Sequence, residues 1–170
     1  MDTSVITKEW LENVFQTTTE NKQLLDTIQI DQLLESIQNH HTDYLENQTI
    51  QSITDTIFNI IRGYPRLSLE TQKKYCFQLQ GYRFVRCIYE LHPGKLVKVL
   101  PIQPNQKGVS LKGIVMNIKF LDNGTHIVCM TPSKTFCQFK FDNYYTFQKL
   151  SSEEELLLTA FDLLQSNADP

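Results

Sequence analysis

The chain has 170 residues, 41% of them apolar and 21% charged, with a net charge of −3. That length suits one domain, or one domain with a smaller appendage. No apolar run approaches the roughly 20 residues that cross a bilayer, so no membrane-spanning helix is expected.

The N-terminus, "MDTSVITKEW", lacks a basic stretch followed by an apolar one. No secretory signal is read there, and an intracellular, cytoplasmic protein is expected rather than a secreted one. Residues 1–62 contain no glycine and no proline, the two strongest helix breakers. Besides the short "LLDTIQ" (24–29), three helical stretches are predicted. The first starts at Thr7 and places Trp10, Leu11 and Val14 on one face. The second is capped by Asp31 and carries Leu33, Leu34, Ile37, Tyr44 and Leu45. The third, "TIQSITDTIFNIIRGY", spaces Ile50, Ile53, Ile57, Ile60 and Ile61 at helical intervals, with Gly63 as a C′ glycine and Pro65 as a stop.

A short helix is predicted after Ser68, and then the pattern becomes β. Strands are expected over 82–91, 95–101, 112–121, 125–131, 135–141 and 144–149. "DNG" (122–124) predicts an Asn-Gly type I′ hairpin between the third and fourth. "PIQPNQKGVS" (101–110) reads as a long polar loop. Ile114, Met116, Ile118 and Phe120 alternate along one strand, and Phe139 and Phe141 along another, so these are the expected inward set. A small barrel would hide the edges of such short strands. The chain closes with "SSEEELLLTAFDLLQ", in which Ser152 and Glu155 suggest a capping box ahead of an apolar face that includes Leu156, Leu157, Ala160, Phe161 and Leu164.

Charge follows the same divisions. Residues 1–62 hold ten acids and three bases, net −7. Residues 63–150 hold four acids and thirteen bases, net +9, and residues 151–170 hold five acids and no base. The near-neutral total thus hides a basic middle between two acidic ends. The expected fold class is α+β: acidic N-terminal helices (1–62), a basic small antiparallel β-barrel of SH3-like or OB-like kind (63–150), and a C-terminal capping helix (151–170).

Catalytic chemistry finds little support. The basic region has only Glu70, Glu90, Asp122 and Asp142 as acids, two of them in expected turns. No P-loop, G-x-S-x-G, H-E-x-x-H or G-x-G-x-x-G is present. Cys76, Cys87, Cys129 and Cys137 form no C-x-x-C and read as reduced thiols. Hence no catalytic residue, metal or cofactor is expected.

"YRFVRCIYEL" (82–91) raises a sharper question, because it carries Arg83 and Arg86 among apolar residues. In a strand the two point to opposite faces. Either one is paired internally, with Glu90 or an N-terminal acid, and the other sits at a rim, or Arg86 faces a ligand. The wider basic set is interleaved with aromatics. A nucleic-acid interface built on Tyr82, Arg83, Phe84, Arg86, Lys95, Lys98 and Lys112 is therefore one reading. Neutralisation of the basic region by acidic helices, or by other proteins, is another.

The stretches "GYRFVRCIYEL", "LKGIVMNIKFLDNGTHIVCM" and "FCQFKFDNYYTFQKLSSEEELLL" resemble small β-rich proteins of large double-stranded DNA viruses, including minor virion components. The likeness covers roughly residues 81–158 and lies in pattern, so no functional residue is carried over. It implies a non-enzymatic structural or assembly role, with capsid or other virion subunits as partners. On this reading the chain is an interaction protein, with nucleic-acid binding as the alternative.

Overall fold

The computed structural model describes residues 43–46, 48–65, 67–103 and 111–166, the last four without their side chains. The helices expected from Thr7, over 24–29 and from Asp31 fall largely outside these residues, as does most of the 101–110 loop. Tyr44 and Leu45, expected at the end of a helical stripe, lie in a 3-10 turn, Asp43–Leu45. The described residues hold three α-helices and one six-stranded antiparallel sheet, an α+β fold. No described helix is long and apolar enough to cross a membrane. The chain divides into two compact units: Met1–Ser52 with Leu150–Pro170, and Ile53–Lys149.

Helix α1, Ile50–Gly63, starts with a reciprocal cap. Ser52 N donates to Thr49 Oγ1 at 2.9 Å, and Thr49 N donates to Ser52 Oγ at 2.8 Å. Ile53, Ile57 and Ile61 form its buried stripe, while Ile50 is exposed. Gly63 ends the helix inside its last turn, without the positive φ expected of a C′ glycine, so Pro65 makes the stop. Helix α2, Leu69–Gln78, is capped by Ser68, whose hydroxyl accepts from Thr71 N at 3.2 Å.

In the first unit, α3 spans Ser152–Ser166. Its capping box lies one residue earlier than expected. Glu154 N donates to Ser151 Oγ at 3.3 Å, and Ser151 N donates to Glu154 Oε2 at 2.7 Å. Glu154, not Glu155, is the buried acid, and it also accepts from Tyr44 Oη at 2.6 Å. The same carboxylate thus serves the box and the tertiary bond with Tyr44.

The strands are β1 (Tyr82–Phe84), β2 (Leu96–Pro101), β3 (Leu111–Leu121), β4 (Gly124–Met130), β5 (Phe136–Lys140) and β6 (Tyr144–Lys149). Their order is β1-β6-β2-β3-β4-β5, with every pairing antiparallel. The sheet is open. β1 and β5 are its edges, and no ladder joins them among the described residues. A closed barrel, expected as protection for short edges, is not what these strands form. β1 is blunted instead by its length of three residues, after which the chain leaves the sheet for a 3-10 turn, Ile88–Glu90.

One face of the sheet carries a core cluster of Val85, Leu91, Val97, Val99, Val115, Ile127, Cys129 and Phe139, while Tyr82, Leu100 and Phe147 are buried on the other face. All four cysteines are free, and burial pushes the Cys129 thiol up to about 12.

The inward set of β3 differs from expectation. A β-bulge between Val115 and Asn117 shifts the register by one residue. Gly113 and Val115 are buried before the bulge and Ile118 packs on the core after it, while Ile114 and Met116 are exposed. Phe120 shares the core side but lies beyond the last β4–β5 pair, His126–Lys140, and is 74% exposed. Phe139 is buried and Phe141 packs against the core, as expected.

The 122–124 hairpin forms, with Leu121 opposite Gly124. Its turn is not type I′, because that type needs positive φ at both central residues. Only Gly124 has one (118°), and neither Asp122 nor Asn123 does.

Candidate functional site

Parity within strands and register between them place every strand lysine. Lys98 of β2 is opposite Lys112 of β3 and Phe147 of β6, which is opposite Phe84 of β1. Two residues along β3, Ile114 is opposite Leu96 and Met130, and Met130 is opposite Phe136 of β5. Beyond the bulge, Asn117 is opposite Val128, which is opposite Gln138. The last rung is Lys119, His126 and Lys140. Lys149 is opposite Tyr82. Register partners share a face, so Lys98, Lys112, Lys119, Lys140 and Lys149 all lie on one side of the sheet. That side is opposite the Val97–Val115–Ile127 cluster, it is itself buried at Tyr82, Leu100 and Phe147, and the six strands contain no Asp or Glu.

At one end three lysines converge. Lys98 Nζ lies 4.7 Å from the centre of the Tyr82 ring, and Lys149 Nζ lies 5.4 Å from it. Lys98 also donates to the backbone oxygen of Gln78 at the end of α2. Burial lowers the Lys98 pKa, and the charges of Lys112 and Lys149 lower it further. Burial raises that of Tyr82. Like charges opposite one another destabilise a sheet, so this cluster has a local cost that an anion would relieve.

The middle of the face is apolar. Phe136 is 68% exposed and Met116 45%, with Ile114 beside them. The adjoining rung is polar. Gln138 Nε2 donates to His126 Nδ1 at 2.9 Å, which leaves His126 Nε2–H to donate to Asn123 Oδ1 at 3.1 Å. From Lys112 to Lys119 the face spans about 20 Å along the strands, at about 3.3 Å per residue with the bulge discounted.

Of the residues suggested by sequence, Tyr82, Lys98 and Lys112 belong to this face. Tyr82 is buried, so it underlies the lysine heads and offers no free ring to a ligand. Phe84 also points this way but is enclosed by rings, its centroid 6.2 Å from Tyr145 and 5.8 Å from Phe147. Arg83 is on the core side, 2% exposed, and bound to Glu90, so it is not available to a ligand. Arg86 is exposed beyond the end of β1, where its backbone N donates to Glu90 Oε2 at 3.1 Å. Lys95 precedes β2, and parity sets it on the side opposite Lys98.

Lys119, Lys140, Lys149 and Phe136 belong to the wider basic and aromatic set of the sequence, and Met116 to the expected inward set, but none is among the seven contact residues that the sequence suggested. The signal for the lysines was their alternation with apolar residues in "IKF", "FKF" and "QKL". Turning that signal into one shared face required the register. No group of three His, Cys, Asp or Glu able to hold a metal occurs among the described residues.

Comparison with family models, with curated proteins and with solved structures found no match.

Proposed function

We propose that this chain is a non-enzymatic interaction protein that docks a negatively charged partner on the lysine-bearing face of its sheet. The observation that carries the reading is the placement of all five strand lysines on one side of a sheet whose strands have no acid. A charge so segregated raises the local concentration of anions and steers them to the face. On the lysine side Tyr82, Leu100 and Phe147 are buried, so the part that a partner can reach lies over β3, β4 and β5, where Ile114, Met116 and Phe136 are exposed.

A structural or assembly role in a virion is the form of this function that the strand-pattern resemblance implies. Nucleic acid and acidic protein surfaces are both chemically suited to the lysines.

The test is a salt titration with the full chain against heparin, single-stranded DNA and an acidic polypeptide. At least one polyanion should bind, with log K falling linearly in log salt. The quadruple variant Lys98→Gln, Lys112→Gln, Lys119→Gln, Lys140→Gln should lose that binding while keeping its circular dichroism. Absence of binding to every polyanion at low salt would sink the reading.

A further inference from the structure

The lysines on this face are not spread evenly. They stand at its two ends, Lys98, Lys112 and Lys149 at one and Lys119 and Lys140 at the other. Between them run the apolar rung Ile114–Met130–Phe136 and the amide-bearing rung Asn117–Val128–Gln138. We infer that the partner is single-stranded nucleic acid, its bases packed on Phe136 and Met116 and its phosphates held by the lysines at both ends. This rests on the reading of the face as a polyanion surface and adds the class of polyanion.

The argument is one of matching chemistry. A polyanion held only by charge has no use for exposed apolar side chains. Yet the centre of the basic face leaves an aromatic ring and a thioether in water. A duplex offers phosphates but keeps the faces of its bases stacked inside. A single strand offers both phosphates and free base faces, and stacking of those faces on side chains is tolerant of sequence. Asn117 Oδ1 accepts from Ile118 N and Gln138 Nε2 donates to His126, which leaves Asn117 Nδ2 as a donor and Gln138 Oε1 as an acceptor for base edges beside the apolar rung. The span of about 20 Å between the lysine groups suits a site of a few nucleotides, as on other single-strand-binding sheets. An acidic amphipathic helix would also meet lysines around an apolar strip. It would set the open amide groups of Asn117 and Gln138 against its apolar stripe, at a desolvation cost.

The experiment uses the full chain and fluorescence anisotropy. The probes are a labelled twelve-nucleotide mixed-sequence single strand and the duplex of the same sequence, with heparin and polyglutamate as competitors. The single strand is expected to bind at least tenfold more tightly than the duplex. Phe136→Ala should weaken single-strand binding roughly 5- to 150-fold, the range for loss of one stacked base, while leaving the salt slope unchanged. Lys140→Gln should instead lower the magnitude of that slope by about 0.7. Phe136 is exposed, so its truncation leaves the core intact, and the melting temperature checks this. Equal or tighter binding of the duplex would overturn the inference, as would a Phe136→Ala variant with unchanged affinity. Polyglutamate that binds as tightly as the single strand and displaces it would also overturn it, in favour of an acidic protein. In each of these three results the polyanion surface stands and only its assignment falls. Failure of heparin, DNA and polyglutamate alike at low salt would remove both.

Discussion

Arg83 and Glu90 close the chain on itself at the edge of the sheet. Arg83 Nη2 donates to the backbone oxygen of Glu90 at 2.5 Å, and its Nη1 lies 3.7 Å from Glu90 Oε2. The same carboxylate accepts from Arg86 N at 3.1 Å. Both side chains are buried. This pairing turns "YRFVRCIYEL" from a ten-residue strand into three residues of strand and a 3-10 turn. It also settles which arginine is internal. Removing one member of a buried ion pair weakens the compensation of the other, so Glu90→Ala should destabilise, by up to about 3–5 kcal/mol in urea unfolding. The double variant Arg83→Met, Glu90→Leu should recover most of that loss, since the desolvation penalty goes with the charges. A Glu90→Ala cost under about 1 kcal/mol would contradict the pairing.

Gly113 predicts a sign reversal. Alanine in place of a strand glycine ordinarily stabilises by restricting the unfolded chain. Here an added Cβ would stand 2.9 Å from the Met130 backbone oxygen and 3.1 Å from Cys129 Cβ. Neither is the far end of a flexible side chain, so β3 and β4 would have to separate. Gly113→Ala should therefore destabilise by about 1–3 kcal/mol, measured as a shift in denaturant midpoint. A neutral or stabilising result would mean that the strands are less closely apposed than described.

Lys134 offers the opposite case. It is the one non-glycine with a positive φ, 60°, among the described residues, in the loop between β4 and β5. A left-handed conformation costs an L-residue roughly 1–2 kcal/mol, and glycine none. Part of that gain returns as unfolded-chain entropy. Lys134→Gly should thus stabilise by up to about 1 kcal/mol, a rise of a few degrees in Tm. No rise, or a fall, would count against the loop geometry.

The lysine cluster makes a prediction in pH. Burial, then Lys112 and Lys149, holds the Lys98 pKa below its usual 10.5 in the folded protein. The charged form is therefore disfavoured on folding, so this group adds stability as pH rises through its folded pKa towards 10.5. Lys112→Thr removes one of the repelling charges from the strand position opposite Lys98. It should stabilise the free protein by no more than about 1 kcal/mol and flatten this rise, while weakening polyanion binding. Thermal melts from pH 7 to 10 with and without heparin would check both arms. A variant less stable than its parent at pH 7 would refute the repulsion.

Six strands, the helix after Ser68 and the isoleucine stripe of α1 were legible in the linear sequence. Each rests on local chemistry: alternation as in Val97-Lys98-Val99, a serine cap, or isoleucines four apart. These are interactions within a few residues, so the sequence by itself determined them, along with the segregation of charge into a basic middle and acidic ends. Which side of β3 faces inward was not local. Ile114, Met116, Ile118 and Phe120 make the more apolar side by composition, yet the bulge after Val115 breaks the period-two count, and side-chain parity changes with a single inserted residue. The partner of Arg83, the bond between Tyr44 and Glu154, and the open order β1-β6-β2-β3-β4-β5 likewise depend on contacts beyond the local pattern. The gathering of five lysines onto one face belongs to the same class. Alternation assigns each lysine a side of its own strand, but only the pairing of strands makes those sides one surface.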